Sequence, residues 1–196
     1  INPKLEEPMT DDFYHVGTIA KVKQMLKLPG GSIRVLVEGL NRGKVKNLIQ
    51  TEPYFMAAAE EYSYNPEELN KNQDIEAAMR LVTVDLEEYI SLNSKVSSEV
   101  LYTISDIEDP GRLADVIASY VFLKQEDDQK ILEAFDFYER LEVLHQILQE
   151  EIELLRIEDK INQRVKKQIN KIQKESDNHI GVGLVAMNFS NIETAL

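Results

Sequence analysis

The sequence predicts an α+β fold: a strand-rich first third, then a helical remainder that ends in one long helix. Three observations predict it. Period-two patterning is confined to the residues before 62, steps of three and four take over after Asn65, and no proline or glycine interrupts Phe137 to Lys174. The expected boundaries are a β-rich lobe over 1–64, a helical bundle over 65–136, a long helix over 137–175 and a tail over 176–196 of unassigned role.

Val16 to Lys23 alternates partly, and Ser32 to Glu38 places Ile33, Val35 and Val37 on one face with Arg34 and Leu36 on the other. Between them Pro29-Gly30-Gly31 combines a fixed φ with two permissive ones, so the two runs pair as an antiparallel hairpin. Gly39 and Gly43 then punctuate a third run, Lys44 to Leu48. Tyr54 to Tyr62 contains the helix-favouring Met56-Ala57-Ala58-Ala59, yet its place after three strand runs and before Pro66 reads as a fourth strand.

Downstream, Ile75, Met79, Val82, Leu86, Tyr89 and Ile90 trace one apolar helical stripe. Ser97-Ser98-Glu99 opens a short helix ending near Ile104. Asp109-Pro110 opens another, running to about Tyr120: aspartate caps orphan backbone N–H groups, and proline fits the first helical position, where its missing donor costs nothing. Asp127-Asp128 complements the dipole at the start of the next helix, which buries Ile131, Leu132 and Phe135. In the last helix Phe137, Leu141, Leu144, Leu148, Ile152 and Leu155 form a stripe. Leu154, Ile157, Ile161, Val165, Ile169 and Ile172 continue it with a shift in phase. Phe137 to Lys174 spans about 57 Å as one helix. Its second half, polar apart from that stripe, is expected to project outward or to pair with another helix. The tail breaks the pattern with the apolar run Ile180 to Met187.

With 196 residues, 43% hydrophobic and 29% charged, the chain is long and apolar enough to bury a core. It has no cysteine, which excludes disulfides, thiolate metal sites and cysteine nucleophiles. Net charge is −13, concentrated in residues 49–160, where 27 acidic residues face 9 basic ones. Such a chain repels phosphate backbones and anionic membranes, so neither nucleic acid nor a membrane is an expected partner. With neither a spanning apolar run nor a signal-peptide layout, the expected location is cytoplasmic.

Sites for chemistry are sparse. No glycine-rich loop ends in Gly-Lys-Ser/Thr, so a phosphate cradle is lacking. Gly181-Val182-Gly183-Leu184-Val185-Ala186 fits the loose dinucleotide fingerprint without the βαβ unit that would use it. His15, His145 and His179 are scattered without metal-ligand spacing. Glu60-Glu61, Asp127-Asp128 and Glu150-Glu151 read as solvated faces. The expectation is no catalytic residue, no metal and no cofactor. The strongest lead is apolar: Met25, Leu26 and Leu28 flank the hairpin turn, where polar residues are the norm, and could grip unfolded polypeptide nonspecifically. The competing reading tucks them under a neighbouring subdomain.

Val16 to Val22, then Leu28 to Leu40, then Asp109-Pro110-Gly111-Arg112-Leu113-Ala114-Asp115-Val116-Ile117-Ala118, together resemble the amino-terminal domain of Lon, the ATP-dependent serine protease. The resemblance continues through Lys130-Ile131-Leu132-Glu133 and from Arg140-Leu141 to Lys174-Glu175. It implies a β-rich, PUA-like lobe followed by a helical bundle. It also implies a noncatalytic role: capturing unfolded, misfolded or degron-bearing protein substrates for a hexameric motor, and supporting self-association into that hexamer. An alternative makes the domain mainly an oligomerisation module, with substrates bound elsewhere. The ATPase and Ser–Lys protease modules of that family have no counterpart in these residues. Family domains begin further upstream, so the β lobe is expected to be incomplete at its start, and the sequence after Glu175 departs from the family pattern.

Overall fold

A computed structural model describes residues 12–62 and 73–190, with side chains up to 174. The chain divides into two compact units, Ile1–Gln149 and Glu150–Leu196.

The first unit opens with a three-stranded antiparallel sheet, β1 (Val16–Lys27), β2 (Ile33–Gln50) and β3 (Met56–Tyr62), with β2 in the centre. The β1–β2 turn forms as predicted: Gly30 and Gly31 take φ of 92° and 86°, conformations that exclude most side chains, and Leu28 N donates to Ser32 O at 2.8 Å. One expectation fails. Gly39 and Gly43 do not separate two strands, because β2 runs unbroken across both. They serve close approach instead. A Cβ on Gly43 would lie 2.8 Å from the Ile19 side chain, and one on Gly39 would lie 3.3 Å from that of Thr18. The alanine-rich run forms a strand, the third rather than a fourth, because pairing with β2 overrides helix propensity. Pro66 lies outside the described residues.

Five helices follow: α1 (Gln73–Leu92), α2 (Glu99–Ser105), α3 (Pro110–Tyr120), α4 (Gln125–Glu133) and α5 (Phe137–Ser190). Asp109 caps α3, its carboxylate accepting from Arg112 N at 2.6 Å, with Pro110 in the first turn. Phe135 lies beyond the end of α4 and is half-buried, its ring centre 4.7 Å from that of Tyr62 of β3 and tilted by 45° to it. The core of this unit is helical: Val82, Leu86 and Tyr89 of α1, Ile104 of α2, Leu113 and Ile117 of α3, and Leu141, Leu144 and Leu148 of α5 are buried. Fully burying such a side chain stabilises by about 1.5–3 kcal/mol.

The second unit is helical through Ser190, so the expected break at Ser176 is not where the helix ends; residues 191–196 of the predicted tail lie outside the described residues. Leu154, Ile157, Ile161, Val165, Ile169 and Ile172 are all exposed. Among the described residues no helix is long and apolar enough to cross a membrane.

Candidate functional site

The β1–β2 hairpin carries its apolar side chains on the outside. Val22 pairs with Val37, Met25 with Val35, and Lys27 with Ile33, which sets Val22, Met25, Ile33, Val35 and Val37 on one face of the sheet. Their exposure runs from 42% to 58%. Strict alternation would put Val22 and Met25, three residues apart, on opposite faces. A bulge at Lys23 removes the conflict by adding one unpaired residue to β1 between the Val22 and Gln24 pairings. The Lys23 ammonium pairs with Glu38.

The three residues singled out beside the turn are therefore not equivalent. Met25 belongs to this apolar face. Leu26, 47% exposed, pairs with Arg34 on the opposite face, beside Leu36 and Gln24, and Leu28 is half-buried at the turn. Sequence alternation places Ile33, Val35 and Val37 on a common face without help. It could not add Val22 and Met25, since nothing in Lys21-Val22-Lys23 announces a bulge.

Near the far end of β2, Phe13 and Phe55 meet edge to face at 5.2 Å and border a cavity of about 250 Å³ lined also by Tyr14, His15, Val45 and Leu48. Its lining is mostly apolar, with Lys46 and Asn47 among the residues around it.

Two polar constellations hold the unit together, and neither was legible in the sequence. Arg42, in the centre of β2, donates through Nη1 to the carbonyl oxygens of Ile131, Leu132 and Ala134 at 2.9, 2.8 and 3.0 Å, and its Nη2 pairs with Asp115 of α3. Arg140 of α5 reaches the same place, donating from Nε to Ala134 O at 3.0 Å, with Nη1 3.5 Å from Asp115. Two guanidinium groups thus satisfy the orphan carbonyls at the C-terminal end of α4, where the helix dipole is negative. Burial pulls both arginines below their ordinary value; Asp115 pulls back in each, and Arg42 adds to the lowering at Arg140. The second constellation is Asp85 of α1, a buried carboxylate 2.5 Å from His145 Nδ1 and accepting from Gln149 Nε2 at 2.7 Å. His145, read from the sequence as an isolated histidine, has its carboxylate partner sixty residues away. Among the described residues no group of three or more potential ligands could hold a metal ion.

The arrangement offers structural polar clusters and an accessible apolar sheet face. A family model for the ATP-dependent protease La (LON) substrate-binding domain matches residues 1–150. The Lon protease of Clostridioides difficile (strain 630) is 51% identical over 174 residues, covering 88% of this chain and 22% of that protein. The Lon protease of Brevibacillus choshinensis is 51% identical over 171 residues, covering 87% of this chain and 22% of that protein. The chain thus spans under a quarter of the length of these curated relatives. The solved N-terminal domain of the Mycobacterium avium complex Lon protease matches with a TM-score of 0.55 at 20% identity, over 72% of this chain and 74% of that one, a likeness of fold alone.

Proposed function

The chain belongs to the Lon substrate-binding domain family, and from that premise we propose that its apolar sheet face holds unfolded or degron-bearing polypeptide for a protease whose cleavage machinery lies outside these residues. The observation that supports this reading most is the single face formed by Val22, Met25, Ile33, Val35 and Val37, each about half exposed. Contiguous apolar surface of this kind fits a partner, and methionine and valine side chains accept varied sequences. Covering the exposed half of these side chains contributes about 4–7 kcal/mol, whereas association itself costs about 4–15 kcal/mol. One copy therefore grips weakly, and a client held by several copies at once gains through effective concentration.

Titration of the chain with casein, an unfolded model protein, tests the reading. Saturable binding that weakens when the face is made polar is the expected result. A folded chain that binds nothing overturns it.

A second role, support of assembly, is favoured by the exposed stripe from Leu154 to Ile172. Sedimentation of the chain with and without residues 162–174 tests it: loss of self-association with unchanged casein affinity assigns assembly, and not capture, to this helix. An unaltered chain that is monomeric at every concentration removes the assembly role.

A further inference from the structure

A second apolar surface of the first unit is concave and lies on its helices, between α1 and α2. Its cavity of about 530 Å³ is lined by Met79 and Val84 of α1, Leu101 of α2 and Ile107 just after it, with Ile104 and Leu113 buried at its floor. Met79, Leu101 and Ile107 are half-buried and Val84 is 58% exposed, so the groove presents apolar surface that the helical core leaves open. That size and lining are those of a binding cleft.

The rim is acidic. Between Gln73 and Pro110 stand nine acidic residues and two basic ones. Asp85 is buried against His145 and Asp109 caps α3, so both are committed within the fold. Glu76 stands one helical turn before Arg80, a lining residue, and Glu87 one turn after Val84, which sets both on the groove side of α1. Asp106 and Glu108 flank Ile107. All four carboxylates belong to exposed residues. Arg80, the cation among the lining residues, lies 3.9 Å from Glu76, which answers its charge locally.

We propose that this groove takes a second segment of client polypeptide, one whose apolar side chains are flanked by lysine or arginine. This rests on the reading that the domain holds polypeptide, and it is independent of the sheet face. The apolar lining supplies the grip. The rim supplies the choice: exposed ion pairs add little affinity each, but four carboxylates around an apolar cleft turn away an acidic segment and admit a basic one. The hairpin has the opposite charge, with Lys21, Lys23, Lys27 and Arg34 against Glu38 in residues 20–40. The two surfaces therefore select different segments, and a client carrying both kinds is held at two points.

Two fluorescein-labelled peptides test the groove. They share the same leucine positions, and the residues between are lysine in one and glutamate in the other. Anisotropy titrations with the whole chain should show the lysine peptide binding about tenfold tighter, a preference that shrinks as salt rises. Glu76→Gln with Glu87→Gln should bring the two peptides to near parity, and Val84→Ser should weaken the lysine peptide, with circular dichroism checking that each variant is folded. Glu126→Gln with Glu133→Gln on α4 removes the same charge elsewhere and should leave the preference intact, as should Val22→Ser with Met25→Ser on the sheet face. Equal affinity for the two peptides overturns the proposal, and so does a preference lost equally in the α4 variant, which would assign it to net charge. Dissociation of self-associated chain by the lysine peptide would show the groove filled by a second copy and overturn the client assignment. Casein binding without any peptide preference sinks the groove alone; a peptide preference without casein binding sinks the sheet-face reading alone.

Discussion

Arg42 and Asp115 are 73 residues apart and form an ion pair that ties the centre of the sheet to α3. The same guanidinium bonds three carbonyls at the end of α4. Together with the Tyr62–Phe135 contact and the bond from Gln129 Nε2 to Val16 O, this side chain ties the sheet to the helices of the first unit.

Replacing Arg42 by methionine keeps the stem and deletes the donors. Asp115 is half exposed and resolvates, so most of the loss comes from the abandoned carbonyls at the end of α4. The expected cost is about 2–3 kcal/mol, read as a lower urea midpoint. An unchanged midpoint would show that the clamp contributes nothing net.

Gly111 is a site of close contact. A Cβ there would stand 2.5 Å from the Phe137 ring and 3.0 Å from Arg140 Nη1. Gly111→Ala should therefore cost about 1–3 kcal/mol by overpacking, despite alanine's better helix propensity. Gly17→Ala, where a Cβ meets nothing within 4 Å, serves as the tolerated control in the same thermal melts.

Two double variants separate the faces of the hairpin. Val22→Ser with Met25→Ser should weaken casein binding, while Leu26→Ser with Leu36→Ser should leave it near the unaltered value, because bulge and register put the two pairs on opposite sides. Both should change stability by about 0.5 kcal/mol or less per residue, as for exposed positions generally. Equal loss of binding in both would show that the grip is not confined to one face.

Asp128 carries a pH signature. Burial, and then the neighbouring Asp127, push its carboxyl above the usual range, so its ionised form is disfavoured in the folded chain. A folded pKa raised above the unfolded one gives stability that is present at acid pH and is lost as pH rises through the folded value. Asp128→Asn should therefore stabilise at neutral pH by a few tenths of a kcal/mol, after screening at this largely exposed site. The gain should vanish below the carboxylate range. Urea midpoints across pH check this, and an equal gain at every pH would assign it to something other than charge.

What the sequence by itself determined is local. The Pro29-Gly30-Gly31 turn, the Asp109-Pro110 start of α3 and the stripe of α1 each follow from signals within a few residues, because turns, caps and periodicity are set by neighbours along the chain. The α+β order and the apolar alternation of Ile33, Val35 and Val37 were legible for the same reason. What only the tertiary structure decided depends on partners far away in sequence. The bulge at Lys23 exists because β1 must keep register with β2, and it assembles the candidate face that no reading of β1 alone could. Gly39 and Gly43 look like strand breakers until Thr18 and Ile19 are seen against them. Arg42 and Asp85 look like ordinary charged residues until folding removes water around them and makes Asp115, the α4 carbonyls, His145 and Gln149 their partners. A buried polar group must be satisfied, but its own sequence neighbourhood does not say by whom.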